Sequence, residues 1–301
     1  MSTVNPALNK KALLIINPVA GRKLIQKNLC SVVRHIMEGG YLVTVAVTGK
    51  RNEARELASR FGGEYDLIVC AGGDGTMNEC VSGMVDANLH CPFSIIPCGS
   101  TNDFAQTHDL QNEVLPAAKA IAAGRIRQYD IGCLDDRVFL HHALFGAFTR
   151  LAYSTDQSQK NRLGFGAYVL DGLRELPNLK SISMVLTVDG VREEGSYVFG
   201  TVSVNRNIAG IYTLPEESIG PADGKLAAVL MKAPKSVQEW DTLGRSILSG
   251  DPNCPMVKIL VGEQIEAETE EDLEWSLDGE SSGPRKKVCF SAKRGFLSVQ
   301  G

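Results

Sequence analysis

"CAGGDGTMNE", residues 70–79, sets three glycines, an aspartate and a threonine in the five positions Gly72–Thr76. The apolar "DLIV" (66–69) precedes this turn, and "MNECVSGMV" (77–85), which reads as a helix, follows it. The flanks repeat the pattern. Upstream, "KALLII" (11–16) and the β-branched "YLVTVAVT" (41–48) read as strands. "LIQKNLCSVVRHIME" (24–38) spaces Leu24, Leu29, Val32, Val33 and Ile36 as a helix, and "NEARELASRF" (52–61) is helical again. Downstream come the strand "PFSIIP" (92–97) and the helix "AAKAIAAG", with Gly124 as its C-cap. Short buried strands alternating with helices predict a doubly wound α/β domain on a parallel sheet, residues 1–125.

The chain of 301 residues is long enough for two domains. Its 44% apolar and 22% charged content is that of a globular protein, and a net charge of −4 argues against nucleic-acid binding. No apolar run reaches the length of a membrane span, and "MSTVNPALNKK" lacks a signal-peptide core. The expectation is a cytoplasmic protein, with transient membrane contact allowed. The eight cysteines form no CxxC pair and several sit in apolar runs, so they read as free thiols. His141 and His142, adjacent on a strand, would face opposite ways and read as structural.

In an open parallel sheet, ligands bind beyond the carboxyl ends of the strands. "NPVAG" (17–21), Thr48-Gly49, "GGDGT" (72–76) and "PCGSTND" (97–103) each follow one strand, so all four turns are predicted at one sheet edge. Glycine turns let backbone N–H groups approach a phosphate, and the next helix N-terminus adds a favourable dipole. Asp74 would repel a bare phosphate, and makes sense if Mg²⁺ lies between. The binding set is Asn17, Gly21, Arg22, Thr48, Gly72, Gly73, Asp74, Gly75, Thr76, Glu79, Gly99, Ser100, Thr101, Asn102 and Asp103. The plain structural alternative makes 72–76 a tight turn with Thr76 as N-cap, which does not call for Asp74 between glycines. Neither a Walker A loop nor a GxGxxG after the first strand is present.

"NPVAG", "GGDGTMNE", "PCGSTNDFA" and the distant "LDGE" (277–280), in that order, resemble the diacylglycerol kinase and sphingosine kinase catalytic superfamily. The pattern is nearest to the soluble bacterial diacylglycerol kinases. "GGDGT" alone is shared with NAD kinases; "GSTNDFA" with the early "NP" turn and the late "LDGE" narrows it to lipid kinases. The resemblance implies ATP binding between two domains and transfer of the γ-phosphate to a lipid hydroxyl. It implies Asp278 as general base, Glu280 as helper on the nucleotide or metal side, and a peripheral encounter with a lipid surface. A homodimer is also admitted.

From about residue 126 to 290 the pattern turns to hairpins, with turns at Asp135-Asp136 and Asp189-Gly190, and predicts a mostly antiparallel β domain. The family has a β-sandwich here, with "GFLSV" (295–299) packing back on the first domain. Helices are expected at 164–176 and 236–250; the first, after Lys160 and Arg162, reads as core packing as readily as a membrane face. By spacing alone, Asp278-Gly279 is an ordinary hairpin turn. "LPEESIGPADGKL" (214–226) matches a family loop that carries a structural magnesium, with Asp223 as candidate ligand and "KLAA" where an acidic residue is usual. "HHALFGAF" (141–148) stands where the family shows an asparagine and a glycine-rich stretch, and Ser100 stands where a threonine is usual. The competing functions are a kinase of a soluble substrate such as NAD, and a non-catalytic nucleotide- or lipid-binding regulator.

Overall fold

The computed structural model describes residues 8–21, 23–146 and 181–301. Arg22, the expected helix at 164–176, and Ala147 and Phe148 of "HHALFGAF" lie outside them. The chain divides into two compact units, Met1–Tyr129 with Gly295–Gly301, and Asp130–Arg294.

In the first unit, β1 (Lys10–Ile16), β2 (Tyr41–Val47), β3 (Leu67–Gly72) and β4 (Phe93–Pro97) pair in parallel. The sheet order is β4-β3-β1-β2. The register sets Ile16 against Val47 and Ala71, and Gly72 against Pro97. All four strands therefore end at one edge, and the four turns leave from it. The strands are continuous apolar runs because both sheet faces are covered. Ala12, Leu14 and Ile16 join a core with Ile25, Val32 and Ile36 of α1 (Leu24–Glu38) and with Val114, Ala118 and Ile121 of α5 (Val114–Ala123). Leu13 and Ile15, pointing the other way, are just as buried. α2 (Glu53–Phe61) and α3 (Asp74–Asp86) pack so closely that a Cβ at Gly83 would meet the Arg55 carbonyl oxygen at 2.4 Å.

Two details differ from the sequence reading. α3 starts at Asp74 with Gly73 as N-cap, so Thr76 is inside the helix and caps nothing. A short α4 (Asp103–Thr107) follows the fourth turn, where no periodicity announces so brief a helix.

The last strand, β15 (Glu280–Gln300), ends in this unit beside β4, Val299 against Phe93. Gln300 is 4% exposed and locks it there. Its carbonyl oxygen accepts from Ser94 Oγ at 2.5 Å and its Oε1 from the Tyr41 hydroxyl at 3.1 Å. Its Nε2 donates to the Ile121 carbonyl at 2.8 Å.

The second unit is antiparallel. β5 (Ile126–Leu134) pairs with β6 (Arg137–Phe139), and the order β13-β12-β9-β7-β14-β15 runs through β13 (Val257–Gly262), β12 (Leu226–Lys232), β9 (Val191–Ser203), β7 (His142–Gly146) and β14 (Gln264–Leu277). β8 (Ile182–Val188) also lies between β9 and β14, and β10 (Asn207–Ile208) pairs with β11 (Tyr212–Thr213) as a separate small hairpin. Gly146 of β7 stands opposite Phe199 and Ile182 of β8 opposite Tyr197, so β7 and β8 form one interrupted strand line. The acidic stretch Gln264–Leu277 is the single strand β14, with a register shift between Glu268 and Leu273. α6 (Val237–Ser249) opens with a capping box. Ser236 Oγ accepts from the Glu239 N–H at 3.2 Å, and Glu239 Oε2 accepts from the Lys235 N–H at 2.5 Å.

Three two-residue hairpins share one device. Asp135, Asp189 and Asp278 all adopt positive φ, as the tight turns demand. Each carboxylate then turns back to accept backbone N–H groups of a neighbouring segment: Cys289 for Asp135, Glu263 and Gln264 for Asp189, and residues 140–142 for Asp278.

Trp275, 1% exposed, centres the core of this unit, its ring 4.8 Å from both Phe145 and Phe290 in edge-to-face contact. Trp275→Ala is expected to lower stability by about 3–5 kcal/mol, read as a lower midpoint in urea; a loss under 1 kcal/mol would contradict this placement.

Candidate functional site

The parallel register brings the turns after β1, β3 and β4 together, and glycine makes the meeting close. A Cβ on Gly99 would lie 2.7 Å from the Gly73 Cα, and one on Gly73 would lie 3.1 Å from the Gly99 Cα. Gly21, at φ +49, runs against the next turn, where a Cβ would meet the Cys98 carbonyl oxygen at 2.1 Å. Backbone bonds tie the same turns: the Asn17 N–H donates to Ala71 O at 2.9 Å and the Cys98 N–H to Gly72 O at 2.8 Å.

Side chains complete the frame. Asn17 Nδ2 donates to Thr76 Oγ1 at 2.9 Å, and Asn17 Oδ1 accepts from the Val19 N–H at 3.1 Å. Asn102, in the left-handed region at φ 53, accepts from the Gly99 N–H through Oδ1 at 2.8 Å. Its Nδ2 donates to Asn112 Oδ1 at 3.0 Å. The Thr48 hydroxyl donates to Ile16 O at 3.2 Å. Glu79 Oε1 accepts from the Asn52 N–H at 2.9 Å, and Glu53 Oε2 from Gly49 at 2.5 Å and Lys50 at 3.2 Å. Two carboxylates from two helices therefore hold the turn after β2.

Sequence reasoning missed Asn112, Glu53 and Asn52. None lies in a glycine-rich turn, and their signal is visible only as spacing to the helix starts they support. Ser100 and Asp103 are exposed.

Two polar atoms at this edge are buried without a hydrogen-bond partner, Asp74 Oδ1 and Thr101 Oγ1. Buried polar atoms almost always have partners, so such orphans mark places where a ligand completes the bonding. Asp74 opens α3, and no side chain caps the N–H groups of its first turn. That terminus is suited to an anion, and a carboxylate beside it is suited to a cation carried by that anion. Phosphate with Mg²⁺ fits this donor set. Behind the turns are buried thiols. Cys98 is pushed up to about 12, first by burial and then by the neighbouring Cys70. Cys70 is raised by its hydrogen bond with Cys80 and by burial. Both stay protonated and act as apolar filling.

In the second unit, Asp278 follows β14 and Glu280 opens β15, exposed. Asp278 Oδ2 accepts from the Leu140 N–H at 2.6 Å, and Oδ1 accepts from His141 at 3.0 Å and His142 at 3.1 Å. The Asp278 N–H returns a bond to His142 O at 3.0 Å. Because Asp135 and Asp189 do much the same, this geometry by itself makes Asp278 an anchor. Asp223 closes its own loop, accepting from Gly220 at 2.8 Å and Lys225 at 3.0 Å. Of the loop's other acids, Glu216 pairs with Arg206 at 2.8 Å. Among the described residues no three His, Cys, Asp or Glu side chains converge as a metal cluster. Among them, too, no helix is long and apolar enough to cross a membrane.

Residues 11–134 match the model of the diacylglycerol kinase catalytic domain. The chain is 30% identical over 281 residues to a Bacillus subtilis (strain 168) diacylglycerol kinase, covering 91% of each chain. It is 27% identical to a Staphylococcus aureus (strain JH9) diacylglycerol kinase over 92% of this chain and 88% of the relative. It also superposes on a solved Bacillus anthracis str. Sterne protein assigned as a diacylglycerol kinase, with a TM-score of 0.81 at 25% identity over 97% and 96% of the two chains.

The glycine contacts generate a test. Gly99→Ala forces two backbones apart and is expected to destabilise by about 1–3 kcal/mol. Asp278→Asn exchanges an acceptor oxygen for a donor facing backbone N–H groups and is expected to cost about 1–3 kcal/mol. Thermal melting measures both; unchanged midpoints would mean that neither contact is made.

Proposed function

The chain belongs to the diacylglycerol kinase catalytic family, and from that premise we propose that it is an ATP- and Mg²⁺-dependent lipid kinase. The acceptor in this reading is the hydroxyl of diacylglycerol or a similar lipid alcohol, met at a membrane surface. The observation that carries the reading is the buried, unpartnered Asp74 Oδ1 at the start of α3, beside the Gly73–Gly99 contact.

When bound, Mg²⁺-ATP supplies the transferable γ-phosphoryl group with part of its charge neutralised. The chain's own residues do the positioning. Gly73 and Gly99 leave room for phosphate against the backbone, and the amide groups of the first turn of α3 face that room. Asp74 holds the cation, Asn17 orients the Thr76 hydroxyl, and Asn102 fixes the Gly99 amide. Gly21, Thr48 and Glu79 shape the outer turns, and Ser100, Thr101 and Asp103 offer polar groups to the nucleotide. Asp278 takes the acceptor's proton in this proposal. Phosphoryl transfer passes through a loose transition state that asks little of a base beyond correct placement. Three backbone N–H groups supply that placement. Glu280 supports the nucleotide side. Both Asp223 oxygens already serve backbone N–H groups, and we assign no metal to that loop.

Gly75 separates a phosphate cradle from an ordinary turn. A Cβ there meets nothing within 4 Å. Gly75→Ala inside a helix is therefore expected to stabilise the free protein by about 0.5–1 kcal/mol while weakening ATP binding at least tenfold. Unchanged ATP affinity would make the turn structural only.

Transfer of labelled γ-phosphate to lipids in mixed micelles, with NAD as soluble acceptor, tests the reading as a whole. Labelling of a neutral lipid by the wild type, lost at least a hundredfold in Asp74→Ala and Asp278→Asn, is the expected outcome. Melting curves on the same samples show whether each variant is folded. Labelling of NAD alone, or ATP binding with no transfer, would overturn it.

A further inference from the structure

The second unit bears on the acceptor's headgroup. Register places Thr201 of β9, Leu144 of β7 and Ser276 of β14 side by side. Side chains directly opposite on neighbouring strands emerge on the same face, so the two hydroxyls flank Leu144. Two residues along β9, Ser203 stands opposite His142, and two residues beyond Ser276 comes Asp278. Asn205, just past β9, is tied back by its N–H to Ser203 Oγ at 3.2 Å.

Thr201 is 0% exposed, Ser276 2% and Asn205 7%. Thr201 Oγ1, Ser276 Oγ and Asn205 Nδ2 nevertheless have no hydrogen-bond partner. Ser203, in the same row, does: its Oγ reaches His141 O at 3.1 Å and Asn205 O at 2.8 Å. The Asn205 amide is also oriented, since Oδ1 accepts from the Asn207 N–H at 3.1 Å. Each orphan costs the free protein stability, and three beside Asp278 are a concentrated cost. A bound molecule that supplies the missing partners would offset it.

We propose that Thr201, Ser276 and Asn205 are the residues that recognise the headgroup of the acceptor named above, a neutral alcohol carrying hydroxyl and ester oxygens. Two hydroxyls that donate or accept and one amide that donates match such oxygens. Among the described residues the row holds no lysine or arginine for a phosphate. Its one carboxylate, Asp278, is already directed at backbone N–H groups, which leaves the row poorly matched to the ammonium of an amino alcohol. This inference rests on the lipid-kinase reading and assigns residues to its acceptor.

Thr201→Val keeps the side chain's shape and Ser276→Ala removes one oxygen, so both variants of the full chain are expected to fold. Two properties should move in opposite directions. Without lipid, each variant should melt about 2–4 °C higher, because an unpaired buried hydroxyl is gone. Equilibrium binding of dioctanoylglycerol dispersed in detergent micelles should weaken roughly three- to tenfold for each, the worth of one neutral hydrogen bond. ATP affinity should not change. A lower melting temperature would mean the hydroxyls are satisfied in the free protein, and would overturn the proposal. So would unchanged dioctanoylglycerol binding, absent binding by the wild type, or tighter binding of a sphingoid base. Binding is read apart from turnover. Wild type that binds dioctanoylglycerol without phosphorylating it sinks the kinase reading alone; phosphorylation with KM unmoved by either substitution sinks this inference alone.

Discussion

The site of the first unit depends on two glycine backbones lying against each other. Gly73 and Gly99 approach to a distance at which either one's Cβ would strike the other's Cα. Parallel pairing of β3 with β4 delivers the two turns to the same edge, but it would do so for any residue pair. The absence of two side chains lets the neighbouring loops meet backbone to backbone. The Asn17–Thr76 and Asn102–Gly99 bonds then hold the loops in place, and a helix opening on Asp74 supplies both the dipole and the charge. Glu53 and Glu79 extend this order to the turn after β2.

Unsatisfied polarity is unevenly spread over the described residues. Asp74 and Thr101 leave buried oxygens unpartnered in the first unit, at the edge where the turns gather. Thr201, Asn205 and Ser276 do so in the second, in a row that continues toward Asp278. Gln300 is the contrast: its backbone oxygen and side-chain amide all find partners. A core can carry a few orphans only if the rest of the packing is good, and the Phe145–Trp275–Phe290 cluster is packing of that kind. Holding unmet hydrogen bonds where a ligand can meet them exchanges stability for recognition.

Asp278 illustrates how one residue type can serve two ends. The hairpin needs a left-handed residue before Gly279, and aspartate tolerates that conformation. Its carboxylate then anchors residues 140–142, as Asp135 and Asp189 anchor their own neighbours. Three directed amides also give a carboxylate a defined orientation, which phosphoryl transfer requires more than basicity. Anchoring is therefore compatible with the proposed role of Asp278 as base.

Much was legible in the chain itself. Continuous apolar runs between helical periods specified parallel strands buried on both faces, and that arrangement dictated which turns share an edge. Asp-Gly and Asp-Asp pairs specified the hairpins, because few residues accept the positive φ that tight turns demand. The glycines and aspartate of the turns stood out for the same reason: at those positions they have few other uses. What remained hidden depends on distance through space. That α3 begins at Asp74, that Glu79 and Asn112 brace other loops, and that Asp278 faces residues 140–142 are consequences of strand register and helix packing. The unpartnered Thr201, Asn205 and Ser276 belong with them. Their polarity is plain in the sequence, but whether a hydroxyl finds a partner is decided only when the strands on either side are in place.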